Sequence, residues 1–355
     1  MISDIVKSYF QKKSFVSFLY VIVSIYVFLV WILSANTLYT SFNGDPDSKL
    51  SDLIKGTAHK PYVNRMLVPF LTRTLHSTIS ESSWESFEKS LLTIPIIEKE
   101  TERLGWEQEF LSEYIIALFF VLTALIIFPF VVRGLWNYFY ETDIHISNTI
   151  PIIVLLILPT LFWTGPHYIY DFPALLLFTL GLFLLLKQRW IYFYIIFILG
   201  CFNKETMVFL TPLYFILFRE KDSKSKVITN LVSQVVIFVI IRLMLLNVFK
   251  ENPGEILSTH LNVNIRIILK DYSWGFLFVF SGTIGLIFYD WKNKPEQLRQ
   301  CFMIVIPLLI IVFFLGIITE LRAVYEIIPI ILFLMFHTVL FTILKLPYRI
   351  KYLNN

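Results

Sequence analysis

Charged residues are scarce in this chain. They make up 16% of its 355 residues, against about 25% in an ordinary soluble domain. Its two cysteines, Cys201 and Cys301, lie in apolar segments without metal-type spacing, which excludes a disulfide framework and a zinc site. The formal net charge is only +4, and its lysines and arginines cluster in short loops. We therefore expect no nucleic-acid partner.

Sequence motifs of soluble enzymes are also absent. The chain has no "GxxxxGK[ST]" phosphate loop, no "GxGxxG", no "HExxH" and no "GxSxG" nucleophile turn. Their absence argues against cytosolic nucleotide chemistry. It favours a substrate that is delivered through the membrane or from its outer face.

Apolar residues dominate instead, at 57% of the chain, with a mean hydropathy of +0.71. Runs of about 20 apolar residues are long enough to cross a bilayer, and lipid forces such runs into helices because it offers the backbone no hydrogen bonds. We predict an all-α polytopic bundle forming a single transmembrane domain over residues 1–355. About ten spans are expected, at 15–34, 113–132, 150–163, 172–186, 227–249, 272–289, 301–318 and 323–344, with two short helices inside 190–218.

Basic residues predict the orientation of these spans. Lys7, Lys12 and Lys13 precede the first span and a basic tail follows the last, so both termini are expected in the cytoplasm of a multi-pass cell-membrane protein. Residues 35–112 then form a large outer loop. Within it, "KPYVNRMLVPFLTRTLHSTI" has helically spaced apolar residues and predicts a helix in the outer interface.

Residues 190–218 contain "FNKET" inside an apolar stretch. Basic clusters flank this stretch on both sides, so the chain between them should cross the membrane an even number of times. We predict a hairpin of two short helices with Asn203, Lys204 and Glu205 at its tip, of the broken-helix kind used in transporters. The tip is expected to face the outer half of the membrane.

Two acidic residues of the outer loop are candidate catalytic groups. Asp45 and Asp47, in "SFNGDPDSKL", could act as a general base beside the membrane, with Asp45 preferred, or could simply form an Asx-type turn. Arg65 could hold a lipid-linked phosphate through its planar guanidinium, or could lay its stem over apolar neighbours.

Later outer segments add further candidate binding residues, each with a purely structural alternative. His167, Tyr170 and Asp171 could contact a sugar or a metal, although Asp171 could be only a helix N-cap. Lys204 and Glu205 could bind phosphate and acceptor, or could neutralise each other at the surface. The same choice applies to Glu320, Arg322 and Glu326, where helical spacing allows Arg322 to pair with Glu326 along one helix face but not with Glu320.

The segments "NRMLVP" at 64–69, "YD" at 170–171, "NKE" at 203–205 and "ELR" at 320–322 resemble motifs of the GT-C superfamily. Its members are integral-membrane glycosyltransferases that use polyprenyl-phosphate sugars, and the chain is most similar to small bacterial ones. The resemblance implies an acidic catalytic residue in the first outer loop, which is Asp45 here with Asp47 as the fallback. The chain departs from larger relatives of that superfamily in that we expect no soluble C-terminal sugar-binding domain within residues 1–355.

The function expected from this resemblance is an inverting transfer of a sugar from a polyprenyl-phosphate donor to an outer-face acceptor. Arg65, Lys204 and Arg322 would offset charge on the departing phosphate. The partners are then the lipid-linked sugar and membrane lipid; no cofactor is specified, although a divalent metal is compatible. The alternatives are a transporter or flippase for a lipid-linked or anionic solute, and a structural or assembly subunit.

Overall fold

The computed structural model describes residues 13–35, 42–161, 167–257, 259–270 and 274–351, and it is mostly helical. The all-α prediction is therefore confirmed. Over these ranges, the helices are α1 (Lys13–Ser34), α2 (Leu50–Lys55), α3 (Leu67–His76), α4 (Glu81–Leu92), α5 (Pro95–Arg103), α6 (Leu111–Phe139), α7 (Ile144–Ile157), α8 (Asp171–Leu186), α9 (Trp190–Asn203), α10 (Leu210–Phe218), α11 (Lys224–Val248), α12 (Leu261–Lys270), α13 (Trp274–Phe288), α14 (Glu296–Phe302), α15 (Val305–Leu315) and α16 (Ile328–Phe336).

Shorter elements join these helices. The described ranges contain 3₁₀ helices at Tyr62–Asn64, Gln108–Phe110, Leu158–Leu161, Glu205–Phe209, Trp291–Asn293 and Leu321–Ile327, and a π-helix at His337–Ile343. Strands β1 (Tyr140–Glu141) and β2 (Arg349–Ile350) pair antiparallel, with Tyr140 opposite Ile350. This pair fixes the C-terminal segment to the end of α6.

Six helical segments in the described ranges are long and apolar enough to cross a membrane. They are Lys13–Ser34, Gln108–Phe139, Ile144–Leu161, Lys224–Val248, Glu296–Leu315 and Arg322–Ile343. Four further apolar helices are shorter: Asp171–Leu186, Trp190–Asn203, Glu205–Phe218 and Leu277–Phe288. A membrane protein is thus supported, whereas ten complete crossings and their orientation stay predictions.

Helix α8 occupies the centre of the bundle. Most of its side chains are buried, and it packs against α6 on one side and α9 on the other. A helix that is apolar around its whole circumference needs neighbours or lipid on every side. The central position of α8 satisfies that need, and it places Asp171, its first residue, inside the protein.

The two short helices of the predicted hairpin lie side by side. The Trp190 ring at the start of α9 lies 5.6 Å from the ring of Phe218 at the end of α10, so the chain reverses between them. Gly200 permits the close return, because a Cβ there would lie 2.6 Å from the Met207 side chain. The reversal leaves Lys204 at the tip, with the extended backbone angles φ −158° and ψ 146°.

The two long connections between predicted spans contain helices. Residues 250–271 connect the predicted spans 227–249 and 272–289, and they contain the amphipathic helix α12, which is too short and too polar to register as an apolar run. The large loop at 35–112 is itself largely helical and contains the expected helix α3. Residues 36–41 of that loop, and 162–166 of the turn before α8, lie outside the described residues.

Candidate functional site

The first loop is joined directly to the hairpin tip. Met66 donates its backbone N–H to the carbonyl of Phe202 at 2.9 Å. Asn203, the last residue of α9, donates from its amide to the Tyr170 carbonyl at 2.9 Å and is fully buried. Three segments remote in sequence therefore meet at one end of the bundle, around Lys204.

Lys204 forms a buried ion pair with Glu326. Their charged atoms are 2.9 Å apart, and the side chains are only 9% and 1% exposed. Thr206 donates a further hydrogen bond to the same carboxylate at 2.5 Å. The sequence allowed Lys204 to pair with Glu205 at the surface. In the structure Lys204 pairs instead with Glu326, which comes from a different segment, Leu321–Ile327.

Glu205 is shared by two arginines. Its Oε2 accepts from Arg65 Nε and its Oε1 accepts from Arg242 Nη1, both at 3.3 Å. Arg65 also donates to the hydroxyl of Tyr170 and lies over that ring at 4.5 Å. Arg242 donates to the Cys201 carbonyl at 2.7 Å. This arrangement attaches the first loop and α11 to the hairpin tip.

Arg322 occupies the other side of the tip. Its Nη2 donates to Glu320 at 2.6 Å, its Nη1 lies 4.0 Å from Asp171, and its guanidinium covers the Tyr168 ring at 4.4 Å. Arg322 therefore pairs with Glu320, which helical spacing argued against, and not with Glu326, which spacing allowed. Glu320 precedes the 3₁₀ segment rather than lying within it, so helical spacing does not govern this contact.

Asp171 is almost completely buried, at 1% exposure. Among the residues that the structure describes, neither of its carboxylate oxygens has a hydrogen-bond donor, and its Oδ2 lies 4.0 Å from Arg322 Nη1. Asp171 thus lies behind the arginine. It acts on Arg322 through charge and has no surface with which to bind a sugar directly.

Side chains around the hairpin tip border a cavity of about 550 Å³. Its polar lining residues include Arg65, Lys204, Glu205, Arg242, Glu320 and Arg322. The apolar part of the lining, the apolar wall, includes Phe238, Leu246, Ile256, Ile311, Val312 and Leu315. A cavity with this mixed lining suits a ligand that has both an anionic group and a hydrocarbon part.

Burial and neighbouring groups shift the pKa values of Arg65 and Tyr170, beside the first loop. Burial alone would lower the pKa of Arg65, but the neighbouring oxygens of Tyr170 and Glu205 raise it above the ordinary arginine value. Burial also raises the pKa of Tyr170. At neutral pH, Arg65 is therefore a permanent cation and Tyr170 an uncharged hydroxyl.

The cavity lining does not include six of the predicted residues, which are Asp45, Asp47, His167, Tyr170, Asp171 and Asn203. Asp45 accepts hydrogen bonds from the Ser48 hydroxyl at 2.7 Å and from the Tyr168 hydroxyl at 3.2 Å. It also accepts one from the Asp47 backbone N–H at 3.0 Å, and this bond forms the Asx-type turn that was the structural alternative for Asp45. Asp47 lies 3.0 Å from His59. His167 is buried and makes a 2.9 Å hydrogen bond with Ser34. Asp45 is nevertheless connected to the site, because Tyr168 lies under Arg322.

Sequence reasoning missed Arg242 and Tyr168 as members of this site, and it considered Glu326 only beside Arg322 and not as the partner of Lys204. Arg242 gave a signal that was not used, since a charge inside an apolar span is a functional candidate. Within the described ranges no group of three or more His, Cys, Asp or Glu side chains is arranged to hold a metal ion. Comparison of the chain with protein-family models, curated proteins and solved structures gives no match.

Proposed function

We propose that the protein is a membrane glycosyltransferase that moves a sugar from a polyprenyl-phosphate donor to an acceptor at the outer face, with inversion at the anomeric carbon. The observation that carries the proposal is the cavity of mixed lining, in which Arg65, Lys204, Arg242 and Arg322 border the same space as the apolar wall. Guanidinium groups suit the donor phosphate, and the apolar wall suits the first isoprene units.

The proposed reaction replaces one carbon–oxygen bond of the anomeric carbon by another and moves one proton. A carboxylate takes the proton of the acceptor hydroxyl, and the acceptor oxygen bonds to the anomeric carbon. The bond between that carbon and the phosphate oxygen breaks, and its electron pair leaves with the polyprenyl phosphate. Cations fixed beside the leaving oxygen stabilise the growing charge, which is the largest catalytic effect expected here.

Two carboxylates are candidates for the catalytic base, and the two assignments predict different effects of mutation on turnover. Asp45 follows from the family resemblance and touches the site through Tyr168. Glu320 borders the cavity directly and is held by Arg322. Catalytic contacts often tighten only when substrate is bound, so the position of Asp45 outside the cavity wall does not remove it.

The test is transfer of labelled sugar from polyprenyl phosphate by the purified full-length protein in detergent. We expect Asp45→Asn to lower turnover by at least about 100-fold and Glu320→Gln to lower it less; the reverse order would assign the base to Glu320. Glu251→Gln is the control, since Glu251 is 89% exposed beside Lys250. Failure with every donor, together with lipid movement across liposomes, would contradict a transferase and favour a flippase.

A further inference from the structure

Of the two carboxylates that border the cavity, Glu205 and Glu320, Glu205 is the more loosely held. Its two hydrogen bonds to Arg65 and Arg242 are both 3.3 Å long, at the weak end of the range for such bonds. By contrast, Glu320 lies 2.6 Å from Arg322 and Glu326 lies 2.9 Å from Lys204. The Glu205 side chain is also 37% exposed, against 1% for Glu326.

The two arginines are held in place independently of Glu205. Arg65 is fixed by the Tyr170 hydroxyl and ring, and Arg242 by the Cys201 carbonyl. In the part of the chain that the structure describes, the buried Nε of Arg242 has no hydrogen-bond partner. Removal of the Glu205 carboxylate would therefore leave a preformed pair of guanidinium groups, and the Arg242 group would keep one unused donor.

We propose that Arg65 and Arg242 form a binding site for a phosphate group, and that the Glu205 carboxylate occupies this site until a phosphate displaces it. A phosphate offers oxygens to both guanidinium groups, where a carboxylate reaches each with one long bond. Phe238 and Leu246, on the same helix as Arg242, belong to the apolar wall, so the phosphate is expected to carry a hydrocarbon chain. The assignment to a lipid-linked donor rests on the proposed function.

The experiment measures binding and needs no acceptor. Farnesyl phosphate, farnesol and inorganic phosphate are titrated by calorimetry into the purified full-length protein and its variants in detergent. Arg242→Gln should weaken farnesyl phosphate binding at least about tenfold, because a charge-assisted hydrogen bond is lost, and should leave farnesol binding unchanged. Glu205→Gln should tighten farnesyl phosphate binding severalfold, because the competing charge is gone, and Glu251→Gln should change nothing.

Two outcomes would overturn the phosphate site, and a third would overturn only its assignment to a lipid. If Glu205→Gln weakens binding as much as Arg242→Gln, Glu205 is a structural anchor and not a displaced occupant. Equal affinities for farnesol and farnesyl phosphate in the native chain would exclude a phosphate site. Equal affinities for inorganic and farnesyl phosphate would support the two-arginine site but assign it to a free anion.

Folding and function have separate readouts here. Retained farnesol binding shows that Arg242→Gln is folded, and Arg242→Lys, which keeps the charge but loses the fork, should lie between native and glutamine variants. If phosphate binds as expected but no sugar is transferred, the proposed function fails and the phosphate site stands. If transfer occurs and Arg242→Gln leaves farnesyl phosphate binding intact, the phosphate site fails alone.

Discussion

Replacement of Lys204 by methionine is expected to lower the free energy of unfolding by about 3–5 kcal/mol, the usual cost of leaving one partner of a buried ion pair alone. Glu326 is 1% exposed, and its charge has Lys204 as its ion-pair partner at 2.9 Å. Without the lysine, this carboxylate would be a buried charge close to Glu320 and Asp171. Unfolding of the purified protein in detergent, followed by circular dichroism against denaturant, measures the change.

Two further variants make this result specific. Adding Glu326→Gln to Lys204→Met should recover most of the lost stability, since a neutral amide replaces the unpaired charge. Lys89→Met is the matched control, because its pair with Glu85 is exposed at 3.8 Å and should contribute less than about 1 kcal/mol. Equal losses for Lys204→Met and Lys89→Met would show that the hairpin tip is hydrated rather than buried.

Replacement of Arg322 by glutamine should lower sugar transfer by about 100- to 1000-fold, the loss typical for removal of a group that stabilises transition-state charge. Arg322 borders the cavity and is oriented by Glu320 at 2.6 Å and by the Tyr168 ring. Initial rates with labelled polyprenyl-phosphate sugar give the measurement. Arg219→Gln, at a 54% exposed arginine outside the cavity, is the control and should keep native turnover.

Loss of folding has to be separated from loss of chemistry at Arg322. Asp171 is buried at 4.0 Å from this arginine, so Arg322→Gln alone also leaves a carboxylate without its cation. Combining it with Asp171→Asn removes that charge, and the double variant should regain stability but not turnover. Recovery of turnover in the double variant would mean that Arg322 only neutralises Asp171, and the catalytic role would be wrong.

The sequence was most informative about the helices and the hairpin. Apolar run length is a property of the chain itself, and basic flanks on both sides of 190–218 required a reversal there. The structure forms this reversal, with Trp190 against Phe218. Arg65, Asp171, Lys204 and Arg322 were each suspected from their polarity in apolar surroundings, and the structure brings all four to one end of the bundle.

Pairing within the site could not be predicted from spacing. Glu326 pairs with Lys204, more than 100 residues away in the chain, and Glu205 pairs with Arg242 in another helix. Such contacts depend on how the helices pack, which a single sequence does not specify. The i, i+4 spacing did not identify the partner of Arg322, because that rule applies only to a regular α-helix. Arg322 lies in the 3₁₀ segment Leu321–Ile327, which has non-helical angles at Val324.

Photo-crosslinking tests most directly the central claim that the cavity holds a phosphate-bearing lipid. A farnesyl phosphate with a diazirine in its chain is irradiated with the full-length protein, and the adducts are located by mass spectrometry. We predict adducts at the apolar wall, at Phe238, Leu246, Ile311 and Leu315, that disappear with excess farnesyl phosphate and decrease in Arg242→Gln at a subsaturating probe concentration. Adducts confined to outward-facing side chains such as Phe278, which is 83% exposed, and unchanged in Arg242→Gln would contradict the account.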